Sequence, residues 1–201
     1  MDAGILAMLV DDAGTILFAN AAWNKLLGVT ETTGLAFADV FGKEIASERQ
    51  QMSNRVIASG APEVVLAMVG GVLLRTTLRR IELLAPDAPK GVLSTSCPVR
   101  EGMDLEPLGV AQHHDLGHLR GLTEREIELL HHVGRGFSSE VAASLMHRST
   151  RTVEWHRASL GEKLRCANRV ELARVALAAG ITAVSVDTLL RIHRAARSSR
   201  S

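Results

Sequence analysis

The sequence predicts two domains of different class: an α+β domain built on an antiparallel five-stranded sheet, then an all-α domain of four helices. Three observations carry this. Residues 1–100 alternate short β-rich runs with Gly, Pro and Asp turn formers around two helical stretches. Residues 121–182 show helical periodicity interrupted only by caps and glycine stops. Charge divides along the same line, residues 1–112 holding 9 Lys/Arg against 13 Asp/Glu and residues 113–201 holding 14 against 9, a split of −4 and +5 that the overall +1 conceals. A basic half beside an acidic one suits a nucleic-acid module attached to a part that phosphate repels, although ordinary variation between domains accounts for the same numbers.

In the first half, Ile5–Val10 and Thr15–Ala19 read as strands around the turn formers Asp11-Asp12-Ala13-Gly14, a hairpin. Ala21–Leu27 reads as a short helix stopped at Gly28, and Lys43–Ser59 as a longer one closed by Gly60. After Pro62 come Glu63–Val69, the pair Gly70-Gly71, Val72–Leu84, a loop Ala85–Lys90 and Gly91–Cys97, a three-stranded meander whose glycine pair supplies a tight turn. Two strands, helices, then three strands is an α+β order. Asp11-x-x-Gly14-x-Ile16-x-x-x-Asn20-x-Ala22 resembles the opening signature of PAS domains, over roughly residues 3–99. The resemblance implies a sensor or dimerisation module at 1–100.

Residues 101–120, with Gly102, Pro107, Gly109 and Gly117, read as a linker. His113, His114 and His118 within it have metal-ligand spacing, but Asp115 is the only added ligand, so the linker reads as solvated and no metal is expected. Cys97 and Cys166 match neither a disulfide framework nor a zinc spacing. The run Ile5–Val10 is too short for a signal core, and no stretch approaches the ~18 apolar residues of a membrane span. A cytoplasmic protein with no membrane partner is the expectation.

In the second half, Thr123-x-x-Glu126 is a capping box, each side chain satisfying a backbone donor at the other's position. Ile127, Leu130 and Val133 repeat on that helix's core face, and Gly134 and Gly136 end it. Ser138 caps a second helix through Met146, whose Ala142 and Ala143 let a third helix cross closely. Ser149 caps the third. In it Val153, Leu160 and Leu164 face the core with the Arg157 stem at their edge, so Arg151, Glu154, Trp155 and Ala158 lie opposite. A second capping box, Asn168-x-x-Glu171, opens a fourth helix, Arg169–Ala179, closed by Gly180. The tail 183–201 carries Arg191, Arg194 and Arg197 at helical spacing around Leu189, Leu190 and Ile192: a fifth helix, with a basic stripe that contacts phosphate or simply faces water.

Thr152-Val153-x-x-His156, Lys163-Leu164 and Asn168-Arg169-x-Glu171-Leu172 identify residues 122–180 as resembling the LuxR-type helix-turn-helix, the GerE or FixJ/NarL class. The resemblance implies a transcription regulator that binds double-stranded DNA as a homodimer, the third helix entering the major groove. Carried onto this chain, the helix-turn-helix core spans Ser139–Ala158, Ser138 and Ser139 are among the DNA-binding residues, and Thr150, Arg151 and Thr152 contact phosphate near a helix N-terminus. Glu154, Trp155 and Ala158 face base edges, Arg157 and Lys163 complete the DNA-binding set, and Leu172, Val175 and Ala176 on the fourth helix serve dimerisation.

Two of these positions depart from the family. Glu154 stands where many members carry Lys; it repels phosphate, and accepts from cytosine N4 or discriminates against wrong sites. Trp155 stands where many carry a small aliphatic residue, and three readings stay open: packing on a thymine methyl, a protein interface, or the core. His156 reads as a partly buried packing residue. Val141 and Leu145 replace charged residues on the second helix, either as a docking stripe or as core.

For the first half, a phosphorylation receiver lacks its strand-terminal acceptor Asp, and an acyl-homoserine-lactone receptor would be longer and richer in Tyr and Trp. A flavin-reactive PAS needs a Cys in its helical region and haem usually needs a His, but this half has only Cys97, in its last strand, and residues 1–112 hold no His. No cofactor is expected; an unknown small-molecule ligand, a protein partner or a ligand-free pairing surface remain. No phosphate-binding glycine loop or nucleophile with its base is present, so the chain is not read as an enzyme. A docking regulator that retains the helix-turn-helix without binding DNA is the alternative.

Overall fold

The computed structural model describes residues 4–82, 90–105 and 108–198, and its backbone contacts cluster into two compact units, 1–67 with 74–97 and 106–114, and 68–73 with 98–105 and 115–201. The end of the expected strand and most of the expected loop, at 83–89, lie outside the described residues, as do Pro107 and the two chain ends.

In the first unit the hairpin is β1 (Leu6–Asp11) and β2 (Ile16–Ala19). Asp11 builds its turn: its carboxylate accepts the N–H groups of Ala13 and Thr15 at 3.0 and 2.7 Å. Helix α1 (Ala21–Leu27) is capped by the Asn20 side chain and closed by Gly28. A short α2 (Phe37–Phe41) follows, unannounced by any cap; its Phe37 N–H is held by the Gly14 carbonyl at 2.8 Å. Helix α3 (Lys43–Ser59) then leads into β3 (Glu63–Val69), β4 (Val72–Ile81) and β5 (Gly91–Pro98). Positive φ at both Gly70 (59°) and Gly71 (82°) closes the tight turn between β3 and β4.

The strand order is β2-β1-β5-β4-β3-β6. The first five are the strands expected from the sequence. The sixth corrects the expectation of five antiparallel strands: β6 (Gly109–Val110) pairs parallel with Val65 and Leu66 of β3, making the sheet mixed. Those two residues have no strand signature of their own. Glu48 of α3 holds the chain beyond them, accepting the N–H groups of Gln112 and His113 at 2.7 and 3.0 Å. Met52 and Val56 of α3 pack on Val65, Ala67, Leu78, Val92 and Ala111 to form the core.

The second unit contains α4 (Glu124–Gly134), α5 (Ser139–Leu145), α6 (Thr150–Leu164) and α7 (Arg169–Ala178), each opened by the expected Thr123, Ser138, Ser149 or Asn168 side chain. The tail adds α8 (Val186–Ser198), whose buried Leu189, Ile192 and His193 face inward. Its basic stripe is partly engaged: Arg194 makes two bonds to the Glu124 carboxylate, at 2.9 and 2.7 Å, and Arg197 donates to the Leu122 carbonyl.

Candidate nucleic-acid interface

Helices α5 and α6 are joined by Met146–Ser149, in which His147 takes a left-handed conformation (φ 52°). At the start of α6 the Ser149 hydroxyl accepts the Thr152 N–H at 3.2 Å and bonds the Thr152 hydroxyl at 2.8 Å, leaving Thr150 and Arg151 exposed on the first turn. Val153 and Leu160 are fully buried beneath. At 100° per residue Arg151, Trp155, Ala158 and Glu162 fall within about 60° of one another on the outer face, and all four are exposed. Trp155, 67 % exposed, is therefore no core residue. Its ring stands edge-on to half-buried His156, centroids 5.0 Å apart. Val141 and Leu145 on α5 are 45 % and 49 % exposed, which likewise removes the core reading for them.

Glu154 is not a free acceptor. One carboxylate oxygen accepts from Ser139 Oγ of α5, the other from Arg157 Nη2 one turn along α6. Thus Ser139, Glu154 and Arg157 form one chain of bonds that brackets the α5–α6 crossing.

Lys163 is also engaged, at a site the sequence shows only as a cap. The Glu126 side chain, 3 % exposed, accepts from Lys163 Nζ at 2.7 Å, from Ser159 Oγ at 2.6 Å and from the Thr123 N–H and hydroxyl at 2.7 and 2.9 Å. Burial pushes this carboxyl up, but the Lys163 ammonium and the three hydroxyl and amide donors together outweigh it and hold the group at about 2. One buried carboxylate thereby ties the first turn of α4 to the last two turns of α6. The capping box announces Glu126; its distant partners carry no local signal.

The residues expected to serve dimerisation differ in exposure. Leu172 and Ala176 are 2 % and 0 % exposed, and a Cβ on Gly134 of α4 would lie 2.5 Å from Ala176 Cβ. That face of α7 packs on α4. Val175 is half-buried, and the large apolar side chains that α7 exposes are Val170 and Leu177, at 62 % and 54 %. Among the described residues no group of three or more His, Cys, Asp or Glu side chains could hold a metal, and no helix is long and apolar enough to cross a membrane.

Residues 120–176 match the family described as bacterial regulatory proteins, luxR family. This stretch is a LuxR-type helix-turn-helix domain. No curated protein matches the chain. Among solved structures, the Vibrio cholera VqmA–ligand–DNA complex is 23 % identical with a TM-score of 0.48, over 92 % of this chain and 88 % of that one. A Vibrio cholerae VqmA dimer in the absence of target DNA is 23 % identical with a TM-score of 0.47, over 92 % and 87 %. A domain of an HTR-like protein from Haloarcula marismortui is 18 % identical with a TM-score of 0.43, over 47 % of this chain and 97 % of that one.

Proposed function

We propose that this chain is a homodimeric, sequence-specific DNA-binding transcription regulator in which α6 enters the major groove and the PAS-like unit reads a signal or mediates pairing. The observation that carries the reading is the outer face of α6: within a LuxR-type domain, a helix with buried Val153 and Leu160 presents Thr150, Arg151, Trp155 and Ala158 to solvent. Thr150, Arg151 and Thr152 meet phosphate where the helix N-terminus already favours anions. Ser138 caps α5, while Ser139, Glu154 and Arg157 hold the crossing and Lys163 holds α6 on α4, so these act by positioning the face. A ligand, protein or second copy binding the PAS-like unit shifts the population that is competent for the operator.

Selection from a random-sequence duplex library with the full chain tests this, followed by affinity measurements across salt concentrations. Log affinity is expected to fall steeply with log salt, and Arg151→Ala to weaken binding uniformly and reduce the slope by about 1. No enrichment together with a flat salt response refutes DNA binding and leaves the helix-turn-helix as a docking module.

A further inference from the structure

We propose that the centre of α6 reads thymine methyl groups, through the Trp155 indole and the Ala158 methyl, and not hydrogen-bonding base edges. This rests on the DNA-binding reading above and names what the same surface recognises. In the major groove guanine offers two acceptors suited to Arg or Lys, adenine an acceptor and a donor suited to Asn or Gln, and cytosine a donor suited to Asp or Glu; thymine alone offers a methyl group.

Taken in turn, the hydrogen-bonding readers along the middle of α6 are absent or occupied, and the exposed charges Arg151 and Glu162 stand toward its two ends. The helix contains no Asn or Gln. Glu154 and Arg157 bond each other, and Glu154 also takes the Ser139 hydroxyl, so a bond to a base from either would first require breaking one already made. Lys163 is held on the buried Glu126 carboxylate at 2.7 Å. Arg151 stands in the first turn and Glu162 near the far end. Between them the outer face holds only Trp155 and Ala158, three residues apart and so surface neighbours on a helix. An indole offers wide apolar area at the cost of two rotatable bonds, and the His156 ring against one side of it narrows the positions it takes.

Replacing each thymine of the selected duplex by deoxyuridine, one position at a time, removes the methyl group and leaves every hydrogen bond of the pair intact. Burying one methyl corresponds to about a fourfold change in affinity, so at one or two positions in each half-site uridine is expected to weaken binding of the native chain by about fourfold. Trp155→Ala should bind the thymine duplex less tightly and lose its sensitivity to uridine at the position it contacts, and Trp155→Gln should do the same; unchanged thermal melting of both establishes that the fold is intact. Uridine without effect anywhere, or with the same effect in the native chain and both variants, overturns this inference while leaving DNA binding standing. Failure of the library selection overturns both.

Discussion

Glu126→Gln tests whether α6 is held by a buried charge. The native carboxyl sits at about 2 against an ordinary value of 4.5, which corresponds to about 3 kcal/mol favouring the folded state at neutral pH. Glutamine keeps the shape and loses the charge, so at pH 7 the variant is expected to be less stable by about that amount. The sign fixes the pH dependence. A folded value below the unfolded one gives stability that is whole above about pH 5 and is lost as the pH falls toward 2, so at pH 3 roughly 2 of those 3 kcal/mol are gone. The gap between native chain and variant should therefore narrow to about 1 kcal/mol at pH 3. His131, His132 and His193, which burial pushes down, also weaken the fold in acid, but they are common to both chains and cancel in the difference. Urea unfolding of the full chain in a Trp23→Phe background, followed by Trp155 fluorescence, reports on this unit alone. A gap that stays the same from pH 7 to pH 3, or one below about 0.5 kcal/mol at pH 7, refutes the charge-locked anchor.

Further outcomes follow from packing and exposure. Gly134→Ala would set a methyl 2.5 Å from both Ala176 Cβ and Thr182 Cγ2, so thermal unfolding should show a loss of about 1–3 kcal/mol despite the better helix propensity of alanine. Leu177→Asp, at an exposed site, should leave the fold intact and weaken self-association in sedimentation, whereas Leu172→Ala, at a buried one, should destabilise by about 2–5 kcal/mol. In the first unit burial and the Arg49 cation hold His114 down to about 4, with Glu48 and His113 also facing it. Its neutral ring supports the fold above pH 6.5 and that support is lost as the pH falls toward 4, so His114→Gln should flatten the acid dependence of the first unit across that window, measured by urea midpoints under Trp23 fluorescence in a Trp155→Phe background.

What the sequence made legible was local chemistry. Thr123, Ser138, Ser149 and Asn168 each cap a helix where a short polar side chain precedes an apolar run, and Gly70-Gly71 turns a hairpin because both residues adopt positive φ. What it concealed was structure held from a distance. Helix α2 has no side-chain cap and is fixed through Phe37 by the Gly14 carbonyl; β6 is two residues long and depends on Glu48, more than sixty positions earlier. The rotation of α7 is hidden in the sequence for a related reason. Its apolar residues surround the helix, so periodicity alone does not separate the buried Leu172 and Ala176 from Val170 and Leu177, which face solvent.

The charges of α6 show why the site was the hardest part to read. A Lys, an Arg and a Glu on a helix expected in the major groove all look like DNA ligands when only the sequence is considered. Two of the bonds they make are set by other helices: Ser139 of α5 engages Glu154, and Glu126 of α4 engages Lys163. Neither partner lies within reach along α6. Each bond engages a charged side chain of α6 and ties the helix to a neighbour, so the same interactions that position the face leave fewer free polar groups on α6. On the reading proposed above, specificity would then rest on the residues that the scaffold leaves unengaged at the centre of the face. In this chain those are the Trp155 indole and the Ala158 methyl.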